Sequence, residues 1–169
     1  MAFLTFFNSD KPIFFPDITY SFYDVWADLF QIPYETKSLD AAFHINPRDY
    51  DKPNGGIIFP NPNAPTGIAL SLSEIEEIVK SNKDSVVLID EAYVDFGGES
   101  AIPLLAEFDN LVVVRTFSKS LCGAGLRLGY AVASPNLIKQ ITIVKNSLNH
   151  FPIDYVAQRA GIAACSDVG

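Results

Sequence analysis

Arg115-Thr-Phe-Ser-Lys-Ser-Leu-Cys-Gly-Ala-Gly-Leu-Arg-Leu-Gly-Tyr130 connects two apolar runs, Leu111-Val-Val-Val114 before it and Leu128-Gly-Tyr-Ala-Val132 after it. Short aliphatic runs bounded by glycine and hydroxyl residues read as strands. The connection between them therefore gathers Lys119, several small neighbours and Arg127 on one glycine-rich turn. Upstream, Val86-Val-Leu-Ile-Asp90 reads as a buried strand that delivers a carboxylate at its carboxyl end. Such runs alternate with amphipathic segments along the chain, the pattern of an α/β layer fold.

Working outward, Ile13-Phe-Phe15 is a short strand between Pro12 and Pro16. Tyr20 to Phe30 carries Phe22, Val25, Trp26 and Leu29 at helical spacing and is expected to be a helix. Ile32 to Thr36 reads as a strand, followed by a polar connector through Pro47 and Pro53. Gly56-Ile-Ile-Phe59 is a further buried strand. Ser73 with Glu76 predicts a capping box for a helix running to Lys80. Pro135 opens a helix over 136–148, and Tyr155 to Ala164 is expected to be the last one.

The 169 residues suffice for one domain with a real core, and 49% of them are hydrophobic. No apolar run approaches the roughly 20 residues of a membrane span. The first residues lack the charged lead and small-residue site of a signal peptide. A net charge of −8 gives no basic stripe for a nucleic-acid backbone. Cys122, Cys165, His44 and His150 cannot be assembled into zinc spacing, so no metal is expected. Two isolated cysteines suit a reducing, cytoplasmic setting.

The chemistry concentrates in few residues. Lys119 is an imine-forming amine, provided its proton is removed. A lysine near its ordinary value of about 10.4 is protonated at neutral pH. A partly desolvated site beside Arg127 is expected to favour the neutral nucleophile. Small neighbours such as Ser118, Ser120, Gly123 and Gly125 would let a flat ligand approach the backbone. Arg127 suits a phosphate bidentately, with the hydroxyls of Thr116 and Ser118 beside it. The glycines Gly123, Gly125 and Gly129 fail the dinucleotide fingerprint, because the last enters a strand. Asp90 falls where open α/β sheets bind ligands, and there it could hold a pyridine nitrogen protonated, with Tyr93 near a ring hydroxyl. Leu88-Ile-Asp-Glu91 also resembles the acidic strand of an ATPase, but the chain has no phosphate loop to go with it. Asn61-Pro-Asn-Ala-Pro-Thr-Gly67 is by itself a rigid turn, and beside the other elements a loop over a ligand. Tyr20 is either a core tyrosine or an aromatic lid. An amine, a phosphate-binding cation and an acid for a ring nitrogen are what pyridoxal 5'-phosphate requires.

On these residues the chain resembles the fold-type I pyridoxal-phosphate aminotransferases, and among them the histidinol-phosphate aminotransferases. The Thr-Phe-Ser-Lys-Ser-Leu run around Lys119, Gly-Leu-Arg-Leu-Gly around Arg127, Asp90-Glu-Ala-Tyr93 and Pro65-Thr-Gly67 follow the family's order. The resemblance implies a three-layer α/β/α sandwich with a mostly parallel sheet, the large cofactor-binding domain. It implies that Lys119 forms the imine and moves the substrate proton, that Asp90 pairs with the pyridine nitrogen, and that Tyr93 pairs with the ring hydroxyl. Ser118 and Arg127 would hold the phosphate with Thr116 in support, and Tyr20 would stack on the ring. Position 64 is Ala where the family often has Asn, so either Asn63 or Tyr93 alone makes the ring-hydroxyl contact, or the ring hydroxyl is less firmly held.

The implied reaction is ping-pong transfer of an amino group from histidinol phosphate to 2-oxoglutarate, a step of histidine biosynthesis, in a homodimeric enzyme. An aromatic amino-acid aminotransferase shares the same cofactor residues and is the alternative substrate reading. An inert cofactor-binding or scaffold fragment is the alternative of a different class. Residues 1–169 are expected to be a large domain incomplete at both ends, with an N-terminal arm and a C-terminal small domain outside it.

Overall fold

The computed structural model describes residues 1–166. Its centre is a six-stranded sheet in the order β2-β1-β3-β4-β5-β6. The strands are β1 (Ile13–Pro16), β2 (Tyr34–Lys37), β3 (Ile57–Pro60), β4 (Val87–Asp90), β5 (Leu111–Thr116) and β6 (Gly129–Ala133). All neighbours run parallel except β5 and β6, which pair antiparallel from Val112↔Ala133 to Thr116↔Gly129. The helices are α1 (Ala2–Phe6), α2 (Tyr23–Leu29), α3 (Leu72–Ser81), α4 (Pro135–Leu148) and α5 (Tyr155–Ser166).

Successive strand residues point to opposite faces, and the two cores obey that rule. Ile57, Phe59, Val87, Ile89, Leu111 and Val113 join Ile75, Ile78 and Val79 of α3 in one cluster. Ile58, Leu88 and Val112 point the other way, into a cluster with Phe3 of α1, Tyr23 and Ala27 of α2 and Leu137 of α4. This makes the expected three layers. Each fully buried aliphatic side chain contributes about 1.5–3 kcal/mol, which explains why the central strands are continuous apolar runs.

Three boundaries differ from the sequence reading. The capping box belongs to Ser71 and Glu74, not to Ser73 and Glu76: the Ser71 hydroxyl accepts from the Glu74 amide while the Glu74 carboxylate accepts from the Ser71 amide. Both serines are followed at the right distance by a glutamate. Starting at Ser71 places Leu70 before the cap and Ile75 one turn in, and both are buried in the same core cluster. That is a hydrophobic staple, which a start at Ser73 would lack. The second strand starts at Tyr34 because Ile32 donates its amide to Ala27 and closes α2. The α2 helix itself starts at Tyr23, leaving Tyr20 in the turn that precedes it.

This topology decides where a ligand can sit. The chain passes to β2 on one side of β1 and returns to β3 on the other, so the strand order reverses there. Crevices beyond the carboxyl ends of strands at such a reversal are the binding sites of open α/β sheets. Because β6 runs antiparallel, the connection from Thr116 to Gly129 also lies at that edge. No helix among the described residues is long and apolar enough to cross a membrane.

Candidate active site

A cleft of about 370 Å³ opens at this edge, within the usual range of small-molecule sites. Tyr20 and Trp26 form one wall, Pro60 contributes from the end of β3 and Ala64 from the loop after it. Asp90, Ala92 and Tyr93 enter from the end of β4. Thr116, Ser118, Lys119, Ala124 and Arg127 complete it from the β5–β6 connection. Seven of the residues singled out in the sequence thus meet in one cavity, coming from the ends of β1, β4 and β5 and the start of β6.

Asp90 is the best-anchored group. Its Oδ2 accepts from the Tyr23 hydroxyl at 3.0 Å and its Oδ1 from the Ala92 amide at 3.1 Å. Burial pushes its carboxyl above the usual range, although both bonds and the nearby Lys119 charge pull the other way. Tyr23, which the sequence reading passed over, is the side chain that holds Asp90. It is only 1% exposed, and burial together with Asp90 drives its phenol well above the ordinary value, so it remains a hydrogen-bond donor. The one signal was its place, a helical turn after Tyr20; a tyrosine at that spacing ordinarily reads as core.

Lys119 departs from expectation. It is exposed, and its ammonium is held above the ordinary lysine value, chiefly by the Tyr93 hydroxyl. Its Nζ lies 4.9 Å from the centre of the Tyr93 ring. The desolvated lysine beside Arg127 predicted from sequence is therefore not observed: the β5–β6 connection lies at the open rim, where water solvates the charge. Arg127 is also exposed, in a left-handed conformation (φ 52), and its Nη1 donates to the Ala124 carbonyl at 2.9 Å. The Thr116 hydroxyl donates to Ser118 Oγ at 2.9 Å and accepts from the Ser118 amide at 3.1 Å, which sets the two hydroxyls side by side.

The glycines of this connection do not all serve ligand approach. A Cβ on Gly123 would lie 2.9 Å from the Phe117 carbonyl, to which the Gly123 amide donates, so glycine is needed to close the turn. Gly125 faces open space.

Asn63 is not brought into the cleft. It is 2% exposed, and its amide group is used within the protein: Nδ2 donates to Ile18 O at 2.9 Å and Thr66 Oγ1 at 3.2 Å, and Oδ1 accepts from Thr19 Oγ1 at 3.0 Å. These bonds tie the Pro-Thr-Gly loop to the segment that carries Tyr20. Of Asn63 and Tyr93, only Tyr93 lines the cleft. Tyr20 is half exposed, stacks on Phe22 at 5.8 Å, meets the Tyr23 ring edge-on at 5.6 Å, and lines the cavity. Among the described residues no group of histidine, cysteine or carboxylate side chains is gathered to hold a metal ion.

Residues 1–169 match the family described as aminotransferase class I and II. The histidinol-phosphate aminotransferase of Lactococcus lactis subsp. cremoris (strain MG1363) is 55% identical over 167 residues, covering 99% of this chain and 47% of the relative. Histidinol-phosphate aminotransferase 1 of Pseudomonas fluorescens (strain Pf0-1) is 56% identical over 158 residues, covering 94% and 45%. The chain spans about half the length of the curated relatives it matches. The crystal structure of the histidinol-phosphate aminotransferase from Clostridium acetobutylicum aligns with a TM-score of 0.84 at 23% identity, over 93% of this chain and 49% of that one. That of the enzyme from Sinorhizobium meliloti, in complex with pyridoxal-5'-phosphate, aligns with a TM-score of 0.82 at 20% identity, over 93% and 44%. At such identities these two structures speak for the fold alone.

Proposed function

The chain belongs to the class I and II aminotransferases, and from that premise we propose that its cleft holds pyridoxal 5'-phosphate and serves transfer of an amino group from an amine donor to a 2-oxo acid. One observation carries the reading: Asp90 from the end of β4 and Lys119 and Arg127 from the β5–β6 connection line the same cavity at the carboxyl edge of the sheet. The donor set suits the cofactor. Arg127 supplies a fork of N–H donors for a phosphate, with the Ser118 and Thr116 hydroxyls beside it. Tyr20 offers a ring face, Asp90 a carboxylate for a protonated ring nitrogen, and Tyr93 a phenol for a ring hydroxyl.

When bound, the cofactor supplies an electron sink for the bond broken at the amine-bearing carbon. The protein's part is positioning and proton handling. Tyr23 and the Ala92 amide hold both carboxylate oxygens of Asp90 in place. Burial raises the Asp90 carboxyl, and a ring cation held beside it would offset the cost of keeping that group ionised. Lys119 would hold the cofactor through its amine and, once freed from that bond, would accept and return the proton of the substrate carbon. Its ammonium must first lose a proton, and in the free chain Tyr93 opposes this.

The names of the relatives above 50% identity support histidinol phosphate as a substrate; 2-oxoglutarate as its partner and a place in histidine biosynthesis belong to the same proposal. Within the same reading, residues 1–169 are the large cofactor-binding domain, and the working form is a cytoplasmic homodimer. Free Cys122 and Cys165 accord with a reducing setting, and exposed apolar residues such as Phe151 and Val156 accord with further burial in an assembly.

Titration with pyridoxal 5'-phosphate tests the reading. The chain should develop a visible absorption band that Lys119→Ala abolishes, while circular dichroism and the unfolding midpoint stay those of the parent, since Lys119 is exposed. A band unchanged in Lys119→Ala would overturn the assignment, and no band in either would leave the inert scaffold. Amine-transfer assays of the full reading frame with histidinol phosphate against phenylalanine then decide the donor.

A further inference from the structure

Behind the cleft lies a chain of polar contacts that the proposed reaction does not use. Glu91 follows Asp90, yet its side chain is wholly enclosed. It accepts from the Ala101 amide at 2.6 Å, from the Ser100 hydroxyl at 2.9 and 3.1 Å, and from Arg115 Nε at 2.9 Å. A carboxylate removed from water is tolerable only when paired and hydrogen-bonded in this way. Held by Glu91, the Arg115 guanidinium places Nη1 4.0 Å from Asp95 Oδ1. The other oxygen of Asp95 accepts a hydrogen bond from the Ser120 hydroxyl.

None of these four residues lines the cleft, but each stands next to one that does. Glu91 adjoins Asp90, Arg115 adjoins Thr116 and Ser120 adjoins Lys119, while Asp95 lies in the same turn as Tyr93. The contacts run from the turn after β4 to the β5–β6 connection and hold the lysine segment at both flanks, at Arg115 and at Ser120. Lys119 needs such a hold. Its side chain is long and exposed, and its Nζ lies 4.9 Å from the centre of the Tyr93 ring. Where the amine lies is therefore set by the backbone on which it is carried. Ser120 makes a direct side-chain bond from that backbone to the turn holding Tyr93.

We propose that Ser120 and Asp95, backed by Arg115 and the buried Glu91, form a clasp that positions the Lys119 amine over Tyr93 and toward Asp90. The inference rests on the cofactor reading for its purpose, and its geometry can be tested apart from it. These are positioning residues: they touch the reacting groups only through Lys119. Ser120 is the informative member, because its replacement changes no charge and leaves the Glu91–Arg115 pair intact.

Two measurements on the parent chain, Ser120→Ala and Ser120→Thr test the proposal. The first is competitive acetylation with acetic anhydride across pH, quantified by mass spectrometry at the Lys119 peptide. The second is the rate of imine formation with pyridoxal 5'-phosphate, trapped by borohydride. Ser120→Ala should slow imine formation about tenfold, since small misplacements of a reacting group are costly. It should also move the Lys119 labelling midpoint down toward the ordinary value of about 10.4 as the amine leaves Tyr93. Ser120→Thr, which keeps the hydroxyl, should restore both, with thermal unfolding the same in all three proteins. Parental behaviour of Ser120→Ala in both measurements overturns the clasp. A parent chain that forms no imine, with a labelling midpoint that still moves in Ser120→Ala, overturns the cofactor reading and supports the clasp.

Discussion

Asp90 and Lys119 face the same cavity, but they are held by different means. Asp90 ends a central strand whose preceding residues, Val87, Leu88 and Ile89, are buried, and its carboxylate is gripped by a tyrosine from α2 and a backbone amide. Lys119 and Arg127 stand on a connection between two strands, exposed, with Arg127 bonded to a carbonyl of its own turn. An ionised acid in a buried place is expensive, so the core must organise its surroundings before any ligand arrives. An exposed cation costs almost nothing to keep, so its setting can remain open until a phosphate or aldehyde fills it. The acid side of the cleft is built with the core, the cation side onto it.

The harshest test of that contrast truncates one aliphatic side chain on each side in turn. Ile89 is fully buried next to Asp90, and Ile89→Ala should cost about 2–5 kcal/mol by lost burial and the cavity left behind. Leu121, two residues beyond Lys119, is 49% exposed, and Leu121→Ala should stay within about 0.5 kcal/mol. Urea unfolding of both variants measures the difference. Equal losses would mean that the lysine segment is as much a part of the core as β4, and the contrast would be gone.

The same contrast explains what could be read from sequence. The strands at Ile57, Val87 and Leu111 were legible because a strand buried on both faces has to be a short aliphatic run between turns. Asp90 was legible because ligands of open α/β sheets bind beyond the carboxyl ends of strands, while the strand order that reverses at β1 was not. Tyr23 was not legible: its bond to Asp90 joins residues 67 positions apart, and nothing local separates such a tyrosine from one that merely packs. Asn63 was misplaced for a related reason, because its type suits a ligand but its partners, Ile18 and Thr19, come from another loop. The setting of Lys119 was misjudged because desolvation depends on how much structure surrounds a side chain, which the motif around it does not encode. The helix start at Ser71 could have been found, had the apolar pair Leu70 and Ile75 been weighed along with the serine and glutamate.

A gentler test reads the acid side by pH. Burial raises the Asp90 carboxyl, so the folded chain binds that proton more tightly than the unfolded one. Stability contributed at this site is therefore greatest at low pH. It falls as pH rises from the unfolded carboxyl value of about 3.9 through the raised folded value, by about 1.4 kcal/mol for each pH unit that separates the two. Asp90→Asn removes that loss; the Tyr23 hydroxyl can turn to accept from the new amide. Without cofactor, the stability of Asp90→Asn relative to the parent should grow as pH rises through this window and then level off. Glu35 and Asp40, both held below the carboxylate range, act in the opposite sense but are common to both proteins and cancel in the difference. A difference independent of pH would show that the acid is not strained by its burial.

The smallest expected change in stability is the most telling for the cation side. Arg127 sits at φ 52, a left-handed conformation that costs a residue with a Cβ about 1 kcal/mol and glycine nothing. A fold designed only for stability would place glycine here, and its neighbours on this turn include two. The guanidinium is thus kept at a small local cost, as expected of a group that serves a ligand. Arg127→Gly should leave the unfolding midpoint unchanged or slightly raised, since what is lost is one bond to the Ala124 carbonyl at the surface. Binding should respond far more, because a charge-assisted bond to phosphate is worth about 1.5–3 kcal/mol. Isotherms with pyridoxal 5'-phosphate and with pyridoxal separate the two contributions: the phosphorylated ligand should weaken sharply and the unphosphorylated one hardly at all. Equal weakening of both ligands would remove Arg127 from the phosphate, and a large loss of stability would place it in the fold.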